Sequence, residues 1–162
     1  MSMCGHYLRI PPEELNDLQS QPEVFKEFLY LVMSPECLQA CKEQYCFLNW
    51  IWDDLHTFLE RLRLPDSLWR RNLGNMYTKE IGTEIENFSF GAGRVRFLAP
   101  NEVQAIANAL RYVSQKAFMN VFRKNYPNRE DHSDTVLSVY LEWIQFLQKA
   151  AVEGQAVLFW IT

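Results

Sequence analysis

The sequence predicts an α+β fold, mostly helical, with a small sheet containing the N- and C-terminal strands. Three observations carry this expectation. The segment Cys4-Gly5-His6-Tyr7-Leu8-Arg9-Ile10 alternates along its length and stops at Pro11-Pro12, as a strand does. The run Ala156-Val157-Leu158-Phe159-Trp160-Ile161 is continuously apolar, the pattern of a strand buried on both faces. Between them, apolar residues recur mostly at three- and four-residue spacing, the period of a helix with one buried stripe. The simplest topology pairs the two strands and wraps them with helices. At 162 residues and 48% apolar content, a single domain over residues 1–162 is expected.

The elements follow in order. On the first strand, Cys4, His6, Leu8 and Ile10 share one face, and Tyr7 and Arg9 the other. Pro12 with Glu13 and Glu14 opens a helix, because proline suits the first turn and acids suit its positive end. A second helix follows Pro22, with Val24, Phe25, Phe28, Leu29 and Val32 as its stripe. Ser34-Pro35-Glu36 starts a third. Residues Phe47–Leu62 read as an amphipathic helix through Leu48, Ile51, Trp52, Leu55, Leu59 and Leu62. Pro65-Asp66 begins a short helix through Leu73, with Gly74 at its C-cap. Residues 75–90 have no clear pattern. Phe90-Gly91-Ala92-Gly93 is a turn, and Val95–Leu98 a short strand. Pro100 begins a helix through Leu110, and Ser114 caps the next. The last helix, about Ser133 to Glu153, is apolar over two adjoining faces and is expected to be central.

Composition narrows the function classes. With 16 basic and 20 acidic residues the net charge is −4, which disfavours nucleic acid because that partner needs a basic stripe. A mildly acidic surface suits a basic protein partner. No apolar run reaches the length of a membrane span. The start lacks a basic region followed by an apolar one, so a cytoplasmic location is expected. The four cysteines lack the C-x-x-C pairs of a zinc site, and no metal or other cofactor is expected. Cys37 and Cys41, one helical turn apart, are a faint metal or redox signal beside the simpler reading of reduced, buried thiols.

Several pieces, taken in order, resemble the YfbM-like family of bacterial proteins carrying a domain of unknown function. They are Met3–Ile10 with Pro12–Leu15, and Trp52-Asp53-Asp54-Leu55-His56-Thr57-Phe58-Leu59. Gly91-Ala92-Gly93-Arg94-Val95-Arg96-Phe97-Leu98-Ala99-Pro100-Asn101-Glu102-Val103 follows, then Tyr126-Pro127 and Gly154–Leu158. The chain departs from the pattern at Glu60-Arg61, where the family usually has Thr-Gly, and at Cys4, where a larger apolar residue is common. The resemblance implies one α+β domain with paired terminal strands, and no established activity.

The candidate site residues fall into three groups. Asp53 and His56, three apart on one helix, are positioned for a carboxylate to orient an imidazole. His6 and Cys4, on one strand face, are weaker additions to a catalytic set. A histidine hydrogen-bonded within the structure is the competing reading for His56. Arg96, with the backbone of Gly91 and Gly93, could take an anion, or else pair with Glu102 or Asp53. Two glycines without the third do not make a dinucleotide fingerprint. Finally, aromatic content is 14%. Most of it falls on core stripes, but Tyr45, Phe47, Trp50 and Trp69 do not, and such residues anchor interfaces or close the edges of a core. With no complete catalytic motif, a non-enzymatic protein-binding module is expected, a toxin-neutralising immunity protein being one form. The alternative is a small-molecule-binding or hydrolytic enzyme built on His56, Asp53 and Arg96.

Overall fold

In the computed structural model, residues 3–62, 64, 69–71, 79–91, 93–128 and 132–162 are described. The chain opens with strand β1 (Gly5–Ile10), then helices α1 (Pro12–Ser20), α2 (Pro22–Val32) and α3 (Pro35–Ala40). Strand β2 (Tyr45–Asn49) and helix α4 (Trp52–Glu60) follow. Strands β3 (Trp69–Arg71), β4 (Lys79–Ile81), β5 (Thr83–Phe90) and β6 (Gly93–Leu98) come next. Helices α5 (Pro100–Leu110), α6 (Gln115–Asn125) and α7 (Ser133–Val152) then lead to strand β7 (Ala156–Ile161).

The main sheet has five antiparallel strands in the order β2-β1-β7-β6-β5, and β3 pairs with β4 separately. The expected pairing of the first and last strands is present, with Gly5 opposite Ile161 and Ile10 opposite Ala156. Both faces of the sheet are covered, which explains why β7 is apolar at every position. On one face, Tyr7, Leu48, Leu98, Val157 and Phe159 pack with α4–α7. On the other, Leu8, Ile10, Val95, Leu158 and Trp160 pack with Leu15, Leu18, Phe25, Leu29 and Val32 of α1 and α2. The result is three layers, with the long helix α7 in the thicker one. Trp143, Tyr140 and Leu147 of α7 are fully buried, as its wide apolar arc requires.

Two expectations are corrected. The helix read over Phe47–Leu62 begins only at Trp52, and Tyr45–Asn49 is an edge strand. Leu48 and Ile51 happen to fit a helical period, but Asn49 takes a left-handed φ of 51° and turns the chain between the two elements. The short helix read through Leu73 is contradicted at Trp69–Arg71, which is a strand paired with Lys79–Ile81. Residues 65–68 and 72–74 of that reading lie outside the described residues. The patternless stretch before residue 90 supplies β4 and β5.

The remaining elements follow their local signals. Ser34 and Ser114 accept hydrogen bonds from the N–H of Cys37 and Ala117, as N-caps do. After α7, Gly154 takes a φ of 64°, the left-handed conformation that lets the chain leave the helix for β7. No described helix is long and apolar enough to cross a membrane.

Candidate functional site

Sheet register places one polar row under α4. Cys46 stands opposite Tyr7, Tyr7 opposite Phe159, Phe159 opposite Arg96, and Arg96 opposite Glu84. Side chains at paired positions share a face, so the row crosses all five strands. His56 reaches it from α4. Its Nε2 shares a 2.9 Å hydrogen bond with the Tyr7 hydroxyl, and its ring lies 4.6 Å from that of Phe159. Trp52 meets the imidazole edge-on, one turn earlier on the helix.

This enclosure sets the chemistry of His56. Burial, and secondly the Arg96 charge, lower its pKa to about 3, so the ring is neutral at physiological pH. Burial likewise pushes the Cys46 thiol up to about 12. Burial also raises the Tyr7 hydroxyl well above its ordinary value. The row therefore combines neutral Cys46, Tyr7 and His56 side chains with a buried Arg96 that faces the Glu84 carboxylate at the sheet edge. Arg96 donates from Nε to the Ile81 carbonyl and from a terminal nitrogen to the Gly82 carbonyl, each at 2.9 Å. Glu84 lies 3.8 Å from Arg96 and also binds Arg94. The guanidinium thus clamps the turn between β4 and β5, where Gly82 takes a φ of 81°.

Arg96 and His56 are brought close together, but the rest of the expected catalytic set is not. Asp53 is exposed in the first turn of α4, while the imidazole hydrogen bond goes to Tyr7. His6 points to the opposite side of the sheet. Its Nδ1 and Nε2 are each 2.6 Å from a hydroxyl, of Tyr45 and Thr162 respectively, and it stacks on Trp160. Burial lowers its pKa to about 4, so one hydroxyl donates and the other accepts. Both nitrogens are occupied by hydroxyls, and the Cys4 Sγ lies 4.0 Å from Asn49 Oδ1. The Cys4, His6 and His56 grouping is therefore corrected: the sheet separates the two histidines.

The expected anion site is also differently built. Gly91 and Gly93 form the β5–β6 turn, and Arg96 is directed to Ile81 and Gly82 instead. A Cβ at Gly91 would come within 2.2 Å of the Ile161 carbonyl oxygen, so glycine is required there for close backbone approach. Glu102 accepts from the Ala99 N–H at 2.8 Å and caps α5. The backbone acceptors of Arg96 come from the β4–β5 turn.

Of the interface candidates, Phe47 is 43% exposed. Tyr45 is half-buried with its hydroxyl on His6, and Trp50 is half-buried with its ring edge-on to His132. The main chain of Trp69 is in β3, and its side chain lies outside the described residues. Tyr45 and Phe47 border an open groove of about 410 Å³ with Lys42, Glu43, Glu142 and Lys149. A second cleft, of about 270 Å³, is bordered by Leu8, Glu14, Phe28, Leu31, Cys37 and Cys41 among others.

Sequence reasoning passed over Arg9, which is 3% exposed. It pairs with Glu153 at 2.9 Å, donates to the Glu43 carbonyl, and lies over the Phe146 ring. Its alternation with Tyr7 on β1 was the available signal. Among the described residues no group of three or more metal-ligating side chains could hold an ion.

Fold and polar centre define a three-layer α+β protein whose buried histidines and arginines are tied into the scaffold. The chain belongs to the family described as Domain of unknown function (DUF1877), whose model matches residues 1–160. Among solved structures it is similar to the crystal structure of a protein of unknown function, YfbM from Escherichia coli. The TM-score is 0.56 at 14% identity, over 98% of this chain and 99% of that one. That likeness is one of fold. No curated protein matches.

Proposed function

We propose that this protein is a non-enzymatic binding module whose docking face is helix α2, and that its partner presents a basic amphipathic helix. The observation that carries this is an apolar stripe on α2 with no cover among the described residues. Val24 is 47% exposed and Leu31 65%, with half-buried Phe28 between them on the same face. The spacing i, i+4, i+7 is that of a helix offered to another helix.

Charge supports the choice of occupant. Residues 1–43 hold seven acidic and three basic residues, and residues 44–162 hold thirteen of each, so the whole net charge of −4 originates in the first segment. Glu13, Asp17, Glu23, Glu27 and Glu36 are exposed on α1–α3, against exposed Lys26 and Lys42 and a buried Arg9. An apolar strip within an acidic field attracts a helix with an apolar face and basic flanks, and speeds the encounter. A module that neutralises a basic toxin is one form of such binding. This reading places the docking face on α2, apart from Tyr45, Phe47, Trp50 and Trp69.

The test uses two fluorescent peptides of the same Leu pattern, one with Lys flanks and one with Glu flanks, followed by anisotropy. The basic peptide is expected to bind, to weaken in 0.5 M salt, and to lose most of its affinity with Leu31→Asp or Val24→Asp. Equal binding of both peptides, or binding untouched by these substitutions, rejects the reading.

A further inference from the structure

We propose that Cys37 and Cys41 form an open two-thiolate site for a soft divalent cation of the zinc or cadmium class. The two Sγ atoms are 3.6 Å apart. Two thiolates on one tetrahedral ion, each about 2.3 Å from the metal, stand about 3.8 Å apart. The pair is therefore within about 0.2 Å of the separation such an ion requires. The spacing has a local cause. Cys37 lies in α3 and Cys41 is its C-cap, so four residues bring both side chains to the same side of one turn. Ser34 fixes the start of that turn by accepting from the Cys37 N–H.

The pair is reachable. Both thiols are half-buried, and both border the 270 Å³ cleft between α2, α3 and the end of β1. Glu14 borders the same cleft. Among the described residues no third ligand stands close enough to close the site. The remaining coordination positions are left to water, to Glu14 after a side-chain rotation, or to a donor atom of a molecule held in the cleft. An open site of this kind exchanges its metal, unlike a closed four-ligand one. Binding is not a redox step: two S–H bonds break, two metal–sulfur bonds form, and two protons leave to solvent. The cleft shares Phe28 and Leu31 with the α2 docking face, but the proposal rests on thiol geometry and not on the exposed stripe.

The experiment is a titration of the reduced, intact protein with Cd²⁺. Thiolate-to-cadmium charge-transfer absorption and proton release are followed together. One ion per chain and about two protons per ion are expected. Cys37→Ser and Cys41→Ser should each abolish the absorption, while the Cys4→Ser/Cys46→Ser protein keeps it. In the unaltered protein, Cd²⁺ should protect Cys37 and Cys41 from alkylation in peptides mapped by mass spectrometry, which needs no variant to fold. Absence of the absorption, its survival in both single variants, or protection no greater at this pair than at Cys4 overturns the proposal.

Discussion

Acid should unfold this protein through its two buried imidazoles. His6 is held at a pKa of about 4 by burial, and His56 at about 3 by burial and then by Arg96. The unfolded chain takes up these protons near pH 6.5. A base whose folded pKa is depressed contributes stability that is complete above the unfolded value and is lost as pH falls toward the folded one. At about pH 4.5 the linkage gives roughly 2.5 kcal/mol for each histidine, or about 5 kcal/mol together. That is comparable to the whole stability of a typical domain. With a urea slope of about 2 kcal/mol per molar, the midpoint should fall by about 2.5 M between pH 7 and 4.5. The assay is urea unfolding followed by tryptophan fluorescence at several pH values in that window. In the His6→Gln/His56→Gln protein the baseline stability is lower but the pH slope is flattened. A wild-type midpoint that moves by less than about 0.5 M, or a double variant that keeps the full slope, refutes the reasoning.

Three further outcomes are expected. Tyr7→Phe leaves His56 Nε2 without its partner at 2.9 Å, and should cost about 1–3 kcal/mol in thermal or urea unfolding. Arg96→Met strands the carbonyls of Ile81 and Gly82 and should cost about 3 kcal/mol, while loss of the cation raises the His56 pKa in an NMR titration. Gly5→Ala puts a methyl group 2.4 Å from the Trp52 Cβ, an atom no rotamer change can move, and should cost about 1–3 kcal/mol by forcing α4 off the sheet. Gly93→Ala, with nothing within 4 Å of the new methyl, is its control and should stay within about 0.5 kcal/mol.

The parts legible in the sequence were those whose burial is uniform along an element. β7 is apolar throughout because both faces are covered, and α7 is apolar over a wide arc because helices and sheet surround it. The N-caps at Ser34 and Ser114 were equally legible, since capping is a local bond. β2 was misread because five residues at a sheet edge carry too short a pattern to outweigh the helical spacing of Leu48, Ile51, Trp52 and Leu55. The polar centre was half legible. His56 and Arg96 stood out as residue types in suitable segments, but their partners did not. Tyr7 meets His56 across 49 positions of sequence, and the Arg96 acceptors are main-chain carbonyls, which carry no residue signature. The Tyr45 and Thr162 hydroxyls that occupy His6 depended on strand register that only the folded sheet defines.

The neighbouring positions of β1 and β7 bear on how the chain is made. β7, the partner of β1 on one side, follows it by about 150 residues, a delay of roughly 8–30 s at about 5–20 residues per second. Until then β1 can pair only with β2, and the apolar seam meant for β7 stays open. β7 then joins the β2–β1 pair to the β5–β6 hairpin. Pairing over such sequence distance is slow, because loop-closure entropy must be overcome before the contacts form. During synthesis β1 thus keeps one strand edge unpaired until β7 arrives.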